Sequence, residues 1–221
     1  MTEEMSDRIA EMCGRAEMYR LLASVFYREL DDEQIATLKA TPLAAPEEGP
    51  MKAASEAIYR SFRVAPPDVL TRLRVDYARI FLAAGVYEGD TAVPFESVFT
   101  DEEGNLMGEA REQVVAIFRA EEVTVDPALQ SPEDHLSFEL EFMAIASDRI
   151  AEALEAGNEE EASRLLAVQE RFAREHLLNW MPMLAERVRT FAKEAFYPAF
   201  MDYAIAFVDD DAAWLEESLA Q

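Results

Sequence analysis

Apolar residues recur along this chain at three- and four-residue steps, the spacing of one helix face, and seldom at the two-residue step of a strand. Residues 5–29 carry Ile9, Met12, Cys13, Ala16, Tyr19, Leu22, Ala23 and Phe26 near that spacing and predict a first helix. Asp31-Asp32 opens a short helix that ends before Thr41-Pro42, and three Pro and one Gly across 42–50 mark a loop. Residues 51–62 are helical by the same criterion. A further helix runs from Pro66-Pro67-Asp68 to Ala84, with Val69, Leu70, Leu73, Tyr77, Ile80 and Phe81 as its apolar stripe.

The segment 85–106 breaks the pattern. It holds Gly85, Gly89, Pro94 and Gly104, yet keeps Val86, Tyr87, Val93, Phe95, Val98 and Phe99, which a purely solvated loop has no use for. Pro94 to Phe99 is therefore expected to pack near the start of a later helix as one wall of a groove, with 88–91 and 101–105 exposed. Helix resumes over 107–121, followed by a linker over 123–130 containing Pro127. Ser131 at an N-cap, Pro132 at the first helical position and Asp134 three residues after the cap predict a long helix reaching about Ala156. Gly157 stops it. Asn158 caps the next, with Glu159-Glu160-Glu161 in its first turn, and that helix is expected to reach about Leu178. Asn179 caps a further helix, with Pro182 near its start. Pro198 begins an apolar helix through Val208, and Asp209-Asp210-Asp211 leads into a last short one with Trp214, Leu215 and Leu219. The expected fold class is all-α, a compact multi-helix bundle of about nine to eleven helices, with 1–221 as a single domain.

Composition narrows the partners. Twenty basic against 45 acidic residues give a net charge of −25, which repels phosphate backbones and anionic lipid, so neither nucleic acid nor membrane insertion is expected. The same field attracts a cationic peptide, although acidity alone also serves to solvate a surface. Half of the residues are hydrophobic, so the charge does not imply disorder. Cys13 is the single cysteine, leaving no internal disulfide and no cysteine-rich metal site. Neither a signal peptide nor a run of about 18 apolar residues is visible, and the chain reads as cytoplasmic.

Few residues could carry chemistry. Asp134 can serve its own helix as a cap, and His135 would follow where a helix N-terminus disfavours the charged imidazole. An enzyme using His135 as general base beside Asp134 or Glu139 is one alternative, and a scaffolding subunit is another. Neither His135 nor His176 has Glu three residues before it, so the di-iron bundle pattern is missing and no metal is expected. There is no Gly-x-Ser-x-Gly elbow and no Gly-x-x-x-x-Gly-Lys phosphate loop, and no cofactor is expected. Leu136, Phe138, Leu140, Phe142, Met143 and Ile145 cover more than one face of their helix and read mostly as core.

The stretch Ser131-Pro132-Glu133-Asp134-His135-Leu136-Ser137-Phe138-Glu139-Leu140-Glu141-Phe142-Met143-Ala144 resembles the hallmark motif of the TorD/DmsD family, chaperones that assist maturation of twin-arginine-exported molybdenum oxidoreductases. A second patch of resemblance lies in Arg74-Val75-Asp76-Tyr77-Ala78-Arg79-Ile80-Phe81 and Val93-Pro94-Phe95-Glu96-Ser97-Val98-Phe99. The resemblance implies a TorD/DmsD-like helical fold and a binding protein rather than an enzyme. It also implies that Asp134 and His135 take part in recognising the twin-arginine leader of a molybdenum-oxidoreductase precursor. Pro94, Phe95, Glu96, Ser97, Tyr77, Phe81 and Phe99 are expected beside them, with Met143 as a further groove lining, in a monomer or homodimer. Phe95 and Phe99 stand where the family often has Tyr, which removes two hydroxyls from such a site. Guanine nucleotide has been proposed as a ligand in the family, but this chain offers no loop for it.

Overall fold

A computed structural model describes residues 2–63, 68–82 and 92–220. Among these residues lie ten α-helices, a 3-10 turn at Pro127–Leu129 and a π-helical turn at Ala173–Leu177. Among them, too, no strand forms, and β pairing is limited to an isolated antiparallel bridge between Phe95 and His135. The all-α expectation holds. The chain divides into two compact units.

The first unit takes residues 1–27, 95–179 and 209–221. It contains α1 (Glu3–Tyr27), α5 (Glu96–Thr100), α6 (Glu109–Ala120), α7 (Leu136–Glu155) and α8 (Glu159–Phe172). Fourteen of the 20 residues of α7 are buried, which makes it the central helix of this unit; α1 and α8 pack along it. Phe118, Phe142 and Phe172 meet in its core, with ring centroids 4.6 to 6.2 Å apart. Gly157 ends α7 with φ +70°, and the bonds from Asn158 N to Ala153 O (2.8 Å) and Gly157 N to Leu154 O (3.0 Å) complete a Schellman stop. Asn158 then caps α8 as its residue type predicts, accepting from Glu161 N at 3.2 Å.

The second unit takes residues 28–94 and 180–208. It contains α2 (Asp32–Ala40), α3 (Pro50–Arg63), α4 (Val69–Phe81) and α9 (Met181–Phe191). Asp31 and Gln34 close a reciprocal capping box at α2. Tyr77, Phe81 and Tyr197 form an aromatic cluster, with centroids 5.1 to 6.0 Å apart. Asp76 is fully buried and accepts hydrogen bonds from Lys193 N and Glu194 N at 2.9 to 3.1 Å, which ties α4 to the link after α9. The last helix, α10 (Phe196–Leu219), contributes to both units.

Boundaries depart from the sequence pattern in several places. α10 runs unbroken through Asp209-Asp210-Asp211, where two helices were expected. The reason is that Asp211 is not a solvated acid: it is bound by the Arg15 guanidinium (2.6 and 2.9 Å) and the Tyr19 hydroxyl (2.6 Å) inside the first unit. α8 gives way at Phe172 to the π turn instead of continuing as α-helix to Leu178. The long central helix starts at Leu136, five residues after Ser131. The exposure expected of 88–91, and the roles of Val86 and Tyr87, lie outside the described residues; of 101–105, Asp101 is half-buried and the rest are exposed.

Candidate functional site

Ser131 to Asp134 do not enter a helix. Asp134 and His135 stay in turn and extended conformation, and His135, at φ −75° and ψ 132°, is itself the N-cap of α7. Its Nδ1 accepts from Ser137 N at 3.1 Å and lies 2.7 Å from the Ser137 hydroxyl. The extended residue before the helix is what lets His135 pair with Phe95, at the start of α5.

Asp134 turns away from its own helix. Its Oδ2 accepts from Ser97 N at 3.0 Å and its carbonyl from Glu96 N at 2.9 Å, so it satisfies two orphan donors at the N-terminus of α5. An acid expected to cap the helix that follows it caps a different helix, 37 residues earlier in the chain. Asp134 and Ser97 are fully buried, and Asp134 Oδ1 and the Ser97 hydroxyl lie near one another without hydrogen-bond partners among the described residues. Burial raises the Asp134 pKa above the usual carboxylate range, with the Ser97 backbone N–H opposing the rise and Glu96 adding to it.

Glu96 is held from beneath. Its carboxylate receives His176 Nδ1 and the Asn179 side-chain amide, both at 2.9 Å. His176 lies in the π turn, where the extra residue shifts the helix face; such turns are common at functional sites. Nothing in the sequence pattern marked His176 or Asn179 for this role. Asn179 was expected to cap α9, which instead starts at Met181 with no side-chain cap.

The His135 ring sits in an aromatic frame. Phe95 meets it edge-on at 5.0 Å and Phe138 lies 5.5 Å away. Burial lowers its pKa to about 4, so the ring is neutral near pH 7. A backbone N–H can only donate, so Nδ1 is the acceptor and the ring proton sits on Nε2. That leaves one N–H donor on a ring that is 8% exposed and that borders the half-buried Phe95.

Of the residues expected at a binding site, Phe95, Glu96, Ser97, Asp134 and His135 come together here, and Phe99 lies on the same short helix, α5. Pro94 is buried and belongs to the second unit. Tyr77 and Phe81, each 2% exposed, pack with Tyr197 in the core of that unit, and Met143 is buried in the first.

Residues 45–186 match the family described as nitrate reductase delta subunit. The chain is 30% identical over 217 residues to the chaperone protein TorD of Vibrio cholerae serotype O1 (strain ATCC 39541), covering 94% of each chain. It is 28% identical over 214 residues to the chaperone protein TorD of Psychrobacter sp. (strain PRwf-1), covering 92% of each. With the chaperone protein TorD of Vibrio parahaemolyticus serotype O3:K6 the identity is 26% over 208 residues, 91% of this chain and 94% of the relative.

Proposed function

The chain belongs to the TorD family of chaperones for redox-enzyme maturation, and from that premise we propose that it binds the twin-arginine leader of a molybdenum-oxidoreductase precursor. It acts in the cytoplasm on the apo-form of that enzyme. Holding the leader keeps the client from export until its molybdopterin cofactor has been inserted.

The observation that carries this reading is the neutral His135 ring at the mouth of α7, its Nε2–H free to donate to a peptide carbonyl and its faces framed by Phe95 and Phe138. Such a leader joins a basic n-region to an apolar core. Aromatic side chains suit the second, and the −25 charge draws in the first. Asp134, being fully buried, serves by fixing the Phe95–Ser97 segment against His135 and does not reach out to the peptide. A catalytic reading has less behind it. A His whose pKa is lowered to about 4 and whose Nδ1 is already engaged is a poor general base near pH 7.

The test is fluorescence anisotropy with a labelled twin-arginine leader peptide, using the wild type, His135→Ala and Phe95→Ala. Each variant should bind about tenfold or more weakly while remaining folded by circular dichroism. Association should slow as salt rises, since the screening length falls from about 10 Å at 0.1 M to about 3 Å at 1 M, with dissociation little changed. Folded variants that bind like the wild type would remove this site from the proposal. A wild type that ignores the peptide would remove the leader itself.

A further inference from the structure

We propose that the apolar core of the leader lies in a groove between α1, α7 and the 123–129 segment, reached past His135; this rests on the leader-binding reading above. The groove has a volume of about 300 Å³ and is lined by Ala23, Tyr27, Val125, Leu129, Phe138 and Ile145, among others. It lies wholly within the first unit.

Two observations choose the occupant. The first is continuity with the site. Phe138 is 5.5 Å from the His135 ring on one side and 6.0 Å from the Tyr27 ring on the other. Phe95, His135, Phe138 and Tyr27 thus form an unbroken run of ring contacts from the bridge at Phe95 into the groove. Tyr27 and Leu129, at the rim, are 39% and 40% exposed, so the groove opens to solvent through apolar side chains. The second is charge. The groove's carboxylates are Asp126 and Glu141, and its one lining cation, Arg20, is already engaged by Asp148 and, at 3.6 Å, by Glu141. An apolar segment flanked by positive charge is complementary to that rim; an acidic segment is not. The π-faces and aliphatic walls give the pocket tolerance for differing apolar sequences, while the ring path past His135 fixes where the segment enters.

The experiment uses two synthetic peptides, one with an Arg-Arg pair before a leucine- and alanine-rich run and one with the leucines replaced by serine. The Val125→Ser/Leu129→Ser double variant strips the outer wall, and Thr124→Trp fills the groove from an exposed position, so neither disturbs the buried core. For the wild type, replacing the leucines should weaken binding about tenfold or more. Both variants should bind the leucine peptide as weakly as the wild type binds the serine peptide, and should discriminate little between the two. That loss of coupling is what direct contact predicts. Wild-type binding that the folded variants retain in full, with His135→Ala still weakening it, would overturn the groove and leave the leader site standing. Failure of the wild type to bind either peptide would overturn both. A wild-type dimer in sedimentation that Thr124→Trp dissociates would assign the groove to a second copy of the chain instead.

Discussion

Lowering the pH from about 7 to about 5 should cost the protein about 2 kcal/mol of stability through His135 alone. Burial lowers its pKa from 6.5 to about 4 in the folded state. A proton therefore binds the unfolded chain more readily. The stability this group supplies is fully present above its ordinary pKa of 6.5 and is lost as pH falls toward about 4. The whole difference corresponds to about 3 kcal/mol at 1.36 kcal/mol per pKa unit, and most of it is spent before the bulk of the carboxylates titrate. Asp134 works in the opposite sense. Its folded pKa is raised, so it favours the fold when protonated, and that contribution is present below the usual carboxylate range and lost as pH rises.

His135→Gln separates the two, because it removes the imidazole and keeps Asp134. Urea unfolding of both proteins, followed by far-ultraviolet circular dichroism at pH 7, 6 and 5, gives the difference in their slopes. Any pH-independent loss of the N-cap cancels. The wild type should lose about 2 kcal/mol more than the variant over that range. Proton NMR offers a direct check, since the chain has two histidines and the variant identifies which resonance is which. Parallel pH profiles, or a His135 resonance that titrates near 6.5, would refute the claim that the ring is enclosed and neutral.

Asp134→Asn keeps an acceptor for Ser97 N and removes a buried charge, so stability should hold within about 0.5 kcal/mol or rise, whereas Asp134→Ala orphans that donor and should cost about 1 to 3 kcal/mol; both are read from urea unfolding at pH 7. Arg15→Met leaves Asp211 buried without its guanidinium and should cost about 3 to 5 kcal/mol, while the double change Arg15→Met/Asp211→Leu should recover much of it.

The helical fold was legible because amphipathic spacing is a local signal. Asp31, Asn158 and Gly157 are read correctly for the same reason, each acting on residues within four or five positions of itself. What local chemistry could not reveal is which acids look elsewhere. Ser131, Pro132 and Asp134 make a good helix start on paper, but Asp134 serves α5, and the helix waits for His135. Asp209-Asp210-Asp211 looks like a break until Arg15, 196 positions away, neutralises its third member. The π turn at Ala173–Leu177 has no Gly or Pro to announce it; it becomes intelligible only once His176 is seen reaching Glu96. The residues gathered by resemblance come together only in part. Those near the Phe95–His135 bridge converge, while Tyr77 and Phe81 are large apolar residues of a stripe that their own unit buries.

The acids of the motif segments share one physical task. Asp76 accepts two backbone donors at Lys193 and Glu194, Asp134 accepts one at Ser97, and Glu96 accepts side-chain donors from His176 and Asn179. None of the three is exposed above 1%. A buried carboxylate costs several kcal/mol to desolvate, and it is tolerable only where donors are fixed around it. Each such acid therefore specifies one position of a connecting segment and penalises every other. In a chain with a net charge of −25, these inward acids are the exception, and the backbone donors held by Asp134 and Asp76 lie at the start of α5 and in the connection before α10. The Asp-His pair thus divides its labour. Asp134 fixes the wall and His135 keeps a neutral, hydrogen-bonding edge beside it; on the leader-binding proposal, binding then carries no cost for ordering that wall.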